Sequence, residues 1–100
     1  MAYVRLYFDQ RKEKKNGTFA IKIVVRHIGE IHFSTGISVA SDEWTGKDLN
    51  KKVDNYKTKN SIIRDKLHKI EAVVFDLDRN SVLKNLSDKK LKTIIENGKL

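Results

Sequence analysis

The sequence predicts an α+β domain: a three-stranded antiparallel β-sheet packed on one long α-helix, with a short C-terminal helix after it. Three patterns predict it. Residues 3–39 alternate apolar and polar side chains with a period of two, as half-buried strands do. Residues 56–79 switch to apolar residues at spacings of three and four, the stripe of a helix that covers one surface. Two glycine turns divide the alternating region into consecutive strands, which makes a meander the natural connection.

The first strand is Tyr3-Val-Arg-Leu-Tyr-Phe8, with Val4, Leu6 and Phe8 on one side and Tyr3, Arg5 and Tyr7 on the other. The second runs from Thr18 to His27. Phe19, Ile21, Ile23 and Val25 share one face, and Ala20, Lys22, Val24 and Arg26 the other. Between the two lies Asn16-Gly17, the strongest short hairpin signal, predicting a type I′ turn with positive φ at both central residues. The loop around it holds Arg11, Lys12, Lys14 and Lys15 and no core-forming residue, so it should project from the sheet. After the turn at Gly29, Glu30 to Val39 forms the third strand. Ile31, Phe33, Ile37 and Val39 line its apolar face, opposite Glu30, His32, Ser34, Gly36 and Ser38.

Ser41-Asp-Glu-Trp44 reads as one capped helical turn, with Ser41 as the cap and two acids at the positive helix end. Trp44 is expected to fold back as a core plug, and residues 45–55 form a polar loop. The long helix carries Ile63, Leu67, Ile70, Val74 and Leu77 as one stripe, widened by Ile62 and Val73. That stripe can seed a coiled coil, but the one-sided sheet needs a cover and the helix supplies it. Asn80-Ser81 ends the helix. Ser87 caps the next one, Leu86 and Leu91 form a hydrophobic staple, and Gly98 marks its stop.

One hundred residues fit one domain. The absence of Cys excludes disulfides and thiolate metal sites and is compatible with a reducing, cytoplasmic setting. No apolar run approaches the roughly 20 residues that span a bilayer, so no membrane partner is expected. Twenty-one Lys and Arg against 13 Asp and Glu give a net charge of +8 and a pI near 9.8, the electrostatic footprint of a nucleic-acid binder. Residues 1–27 hold seven basic and two acidic side chains, so more than half of the excess charge sits in about a quarter of the chain.

Enzymatic constellations are poor. There is no Gly-rich phosphate loop and no nucleophile elbow. His27, His32 and His68 lack metal-ligand spacing, and Asp76 and Asp78 point in different directions on one helix. Neither a catalytic residue, a metal nor a cofactor is expected. The polar face of the sheet is the better lead: Arg5, Tyr7, Lys22, Val24, Arg26, His32 and Ser34, with Glu30 as its one acid. Arg pairs with guanine O6 and N7, Val24 or Ala20 can touch a thymine methyl, and a sheet can enter the major groove. Arg11, Lys12, Lys14 and Lys15 on the projecting hairpin suit phosphates beside the groove.

Tyr7-Phe8-Asp9, the basic hairpin with Asn16-Gly17-Thr18, Ile21-Lys-Ile23, Ser34-Thr-Gly-Ile37 and Ser41-Asp-Glu-Trp44 occur in an order that resembles a known family. It is the N-terminal arm-type DNA-binding domain of tyrosine recombinases, the phage-integrase-family enzymes of bacterial conjugative transposons and related mobile elements. The resemblance covers residues 3–80. It implies a three-stranded sheet backed by a helix, inserted in the major groove of arm-type sites of double-stranded DNA, in support of DNA integration and excision. It also implies a core-binding domain and a catalytic domain downstream, whose active-site tyrosine is none of Tyr3, Tyr7 and Tyr56. Residues 1–80 are then the arm domain and 81–100 a lead-in to a core-binding domain, in a non-catalytic fragment of a longer integrase. Other recombinase protomers are implied partners in an assembled complex. Two other readings stay open on the residues alone: a protein-interaction module using the sheet edge or the long helix, and an RNA-binding module stacking bases on Tyr3 and Tyr7.

Overall fold

The computed structural model describes residues 3–11 and 13–97. Strands β1 (Tyr3–Asp9), β2 (Phe19–Arg26) and β3 (Glu30–Val39) form one antiparallel sheet in the order β1-β2-β3. Helix α1 (Tyr56–Arg79) and helix α2 (Asp88–Asn97) follow. Gly98, expected as the stop of α2, lies outside the described residues. Among the described residues no helix is long and apolar enough to cross a membrane.

The expected meander is present, with Tyr7 opposite Lys22 and Lys22 opposite Ser34. Ile23, Val25 and Ile31 pack on Ile70, Val74 and Leu77 of α1 and on Leu83, Leu91 and Ile95. A second cluster at the hairpin end joins Ile21, Val39 and Ile63 to Leu49 and Val53. The segment 45–55 is therefore not only polar. It contributes two buried side chains and is tied to α1 by Asn60, whose side chain accepts from Leu49 N at 2.9 Å and donates to Leu49 O at 3.3 Å. Trp44 packs against this cluster and stacks on Phe8, with ring centroids 6.0 Å apart and planes at 11°.

Three turns differ from their sequence reading. In the β1–β2 hairpin, Gly17 N donates to Lys14 O at 2.9 Å and Lys14 N to Thr18 O at 2.8 Å. Lys15 and Asn16 are thus the central residues, and Gly17, at φ +78°, closes the turn. Asn16 does not take a positive φ, so a type I′ turn is ruled out in favour of a three-residue loop with glycine in the left-handed position. Second, the turn at Ser41–Glu43 is a single 3₁₀ turn capped by Glu43 rather than Ser41: Glu43 Oε1 accepts from Ala40 N at 2.8 Å. Third, Ser34-Thr-Gly-Ile37 breaks the β2–β3 ladder. Ala20 opposes Ser38 and Lys22 opposes Ser34, so Ile21 alone faces three residues of β3. The bulge keeps the facing of both strands because it inserts two residues, an even number. Thr35 stabilises it: its buried hydroxyl donates to Ile21 O at 2.7 Å and accepts from Ile37 N at 3.1 Å. Gly36 takes φ +80°, where a side chain would be strained.

The helix ends follow the sequence. Ser81, at φ +60°, stops α1, with Ser81 N donating to Asp78 O and Val82 N to Leu77 O. This is a Schellman motif with Ser in the left-handed position. Ser87 Oγ accepts from Lys90 N at 3.2 Å and caps α2, while Leu86 and fully buried Leu91 join the main core as a staple. Of the segment expected as a lead-in, residues 81–100, the described part to residue 97 packs on the same core as the sheet through Leu83, Leu91 and Ile95. Asp88 also clamps the β2–β3 turn, accepting from Ile28 N at 3.1 Å and Gly29 N at 2.6 Å. His27 Nε2 donates to Leu86 O at 2.8 Å on the same contact.

Thr35→Val tests the bulge. The change is near-isosteric but strands the Ile21 carbonyl and the Ile37 amide, so urea denaturation should show a loss of about 1–3 kcal/mol. Ser34→Ala, at an exposed position, should lose less than about 0.5 kcal/mol.

Candidate nucleic-acid interface

With the helices on one face, the other face of the sheet is left uncovered by them. It carries Tyr3, Arg5, Tyr7 and Asp9 from β1; Ala20, Lys22, Val24 and Arg26 from β2; and Glu30, His32, Ser34 and Ser38 from β3. Arg5, Tyr7, Lys22, Val24, Arg26, His32 and Ser34 therefore come together as the strand alternation predicts. Arg11 joins them from just beyond β1. Lys14 and Lys15 stand exposed on the hairpin tip, and Lys12 lies outside the described residues.

Two carboxylates organise these cations. Asp9 is 5% exposed. Its Oδ1 accepts from Arg11 Nε at 2.9 Å, its Oδ2 from Arg11 Nη2 at 3.1 Å, and Oδ1 also takes Arg11 N at 3.2 Å. Lys22 Nζ sits 2.9 Å from Oδ2. Across the sheet, Glu30 lies 3.4 Å from Arg5 Nη2, 4.0 Å from Arg26 Nη1 and 3.7 Å from His32 Nε2. Tyr7 links the two groups. The guanidinium carbons of Arg5 and Arg11 lie 5.5 and 5.8 Å from its ring centroid, within cation–π range, and His32 meets the ring edge-on at 5.9 Å.

Glu30 is thus not the one acid of this face; Asp9 is the second. Its place was accessible from the alternation, since Asp9 continues Tyr3, Arg5 and Tyr7. The register adds the reason for its partner: Lys22 lies opposite Tyr7, one step along the same face. Val24 is also corrected. It points to this face as expected but is 1% exposed, between Arg5 and His32 in the register. It forms the floor beneath the polar side chains, and contact between Val24 and a base edge is closed off here. Ala20 remains part-exposed. Ser34 is exposed, and its hydroxyl accepts from Gly36 N at 3.1 Å within the bulge.

The two hubs differ in strength. Around Glu30 the side chains of Arg5 and Arg26 are 49% and 59% exposed, and such pairs contribute little to stability. Asp9 is buried and doubly paired. Hydrogen bonds from Arg11 and then Lys22 outweigh the effect of burial and hold its carboxyl well below the usual carboxylate range. The same contact raises the Arg11 guanidinium. A depressed carboxyl in the folded state contributes stability above its unfolded value, and that contribution is lost as pH falls toward the folded value. Stability should therefore drop below about pH 4 more steeply in the native chain than in Asp9→Asn. Thermal melts at half-unit steps from pH 5 to 2 check this; parallel curves would remove Asp9 from the acid transition.

Neither curated proteins nor solved structures yield a match to the chain. The model of one family does match, over residues 6–95, and its description is arm DNA-binding domain. That span takes in β1 from Leu6, the basic hairpin, the bulge, α1, the Asp88 clamp and α2 as far as Ile95. DNA binding in the context of tyrosine recombinases is what such a domain does, and catalysis is not. With 90 of its 100 residues inside the match, the chain belongs to the arm DNA-binding domain family.

Proposed function

We propose that this chain binds double-stranded DNA with the helix-free face of its sheet in the major groove, as the arm-site reader of a tyrosine recombinase. The observation that carries the reading is the grouping of Arg5, Arg11, Lys22 and Arg26 on one face, on the side of the sheet away from both helices. A twisted sheet fits a groove about 12 Å wide, and guanidinium groups match the acceptors of guanine there. Lys14 and Lys15 at the hairpin tip, with Lys12 close to them in the sequence, contact the phosphates beside the groove and set the register without reading sequence. Arg26 of β2 and His32 and Ser34 of β3 contact bases.

In the parent enzyme this contact would hold an integrase at the arm-type sites of a bacterial mobile element, such as a conjugative transposon, during integration and excision. Other protomers would assemble beside it, in the cytoplasm, and the catalytic tyrosine would lie in a separate domain. Both the division of labour within the face and this wider role rest on the clustering of charge and on the family's DNA-binding character.

Fluorescence anisotropy with a random 25-base-pair duplex, across a salt series, tests the reading. Micromolar binding that weakens steeply with salt is the expected outcome; no duplex binding at low salt overturns it. Lys12, Lys14 and Lys15 to Ala should weaken all duplexes alike and lower the salt slope by about 0.9 per lost phosphate contact. Arg26→Ala should cost about 1–3 kcal/mol on a selected site and relax the preference at one base pair. An equal loss on selected and random duplexes would place Arg26 among the phosphate contacts.

A further inference from the structure

By sequence, Arg11 belongs to the same basic run as the hairpin lysines. Its geometry separates it from them. Lys14 and Lys15 are exposed, with no ion pair among the described residues. The Arg11 guanidinium is bound through two of its groups to buried Asp9 and lies over Tyr7. Its backbone amide donates to the same carboxylate, so both ends of the residue are anchored at one point. Lys22 closes the other side of Asp9.

A guanidinium has five N–H donors in a fixed fork. Two point to Asp9, and among the described residues the remaining three meet no acceptor. Three suffice for the bidentate contact with guanine O6 and N7, which needs two. The side chain is 65% exposed, so the fork is held from behind and open in front. A long side chain ordinarily loses its rotamer freedom on binding; here Asp9 and Tyr7 have removed much of that freedom already. We infer, on the strength of the duplex-binding reading above, that Arg11 is a base-reading residue specific for a guanine and that Asp9 is the positioning residue that presents it.

Simple electrostatics makes the opposite forecast for Asp9. Replacing it with Asn raises the net charge by one and should tighten binding to a polyanion. Positioning predicts loss on the chain's own site and not on random DNA. The test starts from a duplex enriched from a randomised pool with the native chain, its guanines then replaced singly by 7-deazaguanine, which lacks N7. One replacement should weaken the native chain about tenfold or more and have little effect on Arg11→Ala, because the partner is already gone. Asp9→Asn should lose affinity similarly on the enriched duplex, hold or gain on a random one, and be partly rescued by Asp9→Glu. Circular dichroism melts accompany each variant. Should Asp9→Asn fail to fold, exposed Arg11→Ala decides the matter alone. The inference is overturned if Arg11→Ala weakens enriched and random duplexes equally, if every 7-deazaguanine effect persists in it, or if folded Asp9→Asn binds the enriched duplex as tightly as the native chain. A native chain that enriches no duplex would instead bring down the duplex-binding reading itself.

Discussion

Burial of strand β2 on both of its sides is the constraint on which the rest depends. Ile21, Ile23 and Val25 face the helices with no exposed surface, and Val24 on the other side is 1% exposed. At about 25 cal/mol per Å² of apolar surface removed from water, a few fully buried aliphatic side chains contribute several kcal/mol, a large fraction of a small domain's net stability. The inner side determines where α1 must lie, since the stripe of Ile63, Ile70, Val74 and Leu77 is what covers it. The outer side has no helix to cover Val24. Arg5, Tyr7 and His32 stand around it instead, so a surface built for polar contact also closes the core.

That double duty explains the two carboxylates. Four cations on one small face repel one another and lose solvation as they crowd. Asp9 and Glu30 offset this: Asp9 holds Arg11, from just beyond β1, and Lys22 of β2, while Glu30 draws in Arg5 of β1 and Arg26 of β2. Asp9 does so while buried, which requires that its oxygens be satisfied, and Arg11 and Lys22 satisfy them. The result is a face whose positive charge is held in defined directions near the sheet, while Lys14 and Lys15 at the hairpin tip stand exposed with no ion pair among the described residues. Orientation suits recognition of base edges; exposed cations without a fixed partner suit phosphates, which are alike at every step.

The ends of the sheet are tied as firmly as its middle. At the β2–β3 turn, Asp88 accepts two backbone N–H groups and His27 donates to Leu86 O. At the opposite end, Trp44, Leu49 and Val53 close the second core cluster against Ile21 and Val39. Helix α2 therefore packs on the core that the sheet and α1 share. The family match runs through residue 95, the last residue of that core cluster.

The sequence by itself determined the strands, the stripe of α1, the stop at Asn80-Ser81, the Ser87 cap and the side of the sheet on which the cations lie. All of these are local: a period of two or 3.6, or a residue with one strong backbone preference, expresses itself without distant help. The tertiary structure decided what depends on register and on contacts far apart in the chain. Ile21 needs Thr35 because the ladder breaks there, and no periodicity records a bulge that preserves it. Leu49 and Val53 sit in a polar run and are buried only because Ile21 and Ile63 meet them. Asp9 became the hub of the face when β2 brought Lys22 beside it, and Val24 became its floor when three strands closed around it. Charge and its side of the strand were legible; which charge holds which was a matter of distances that only folding sets.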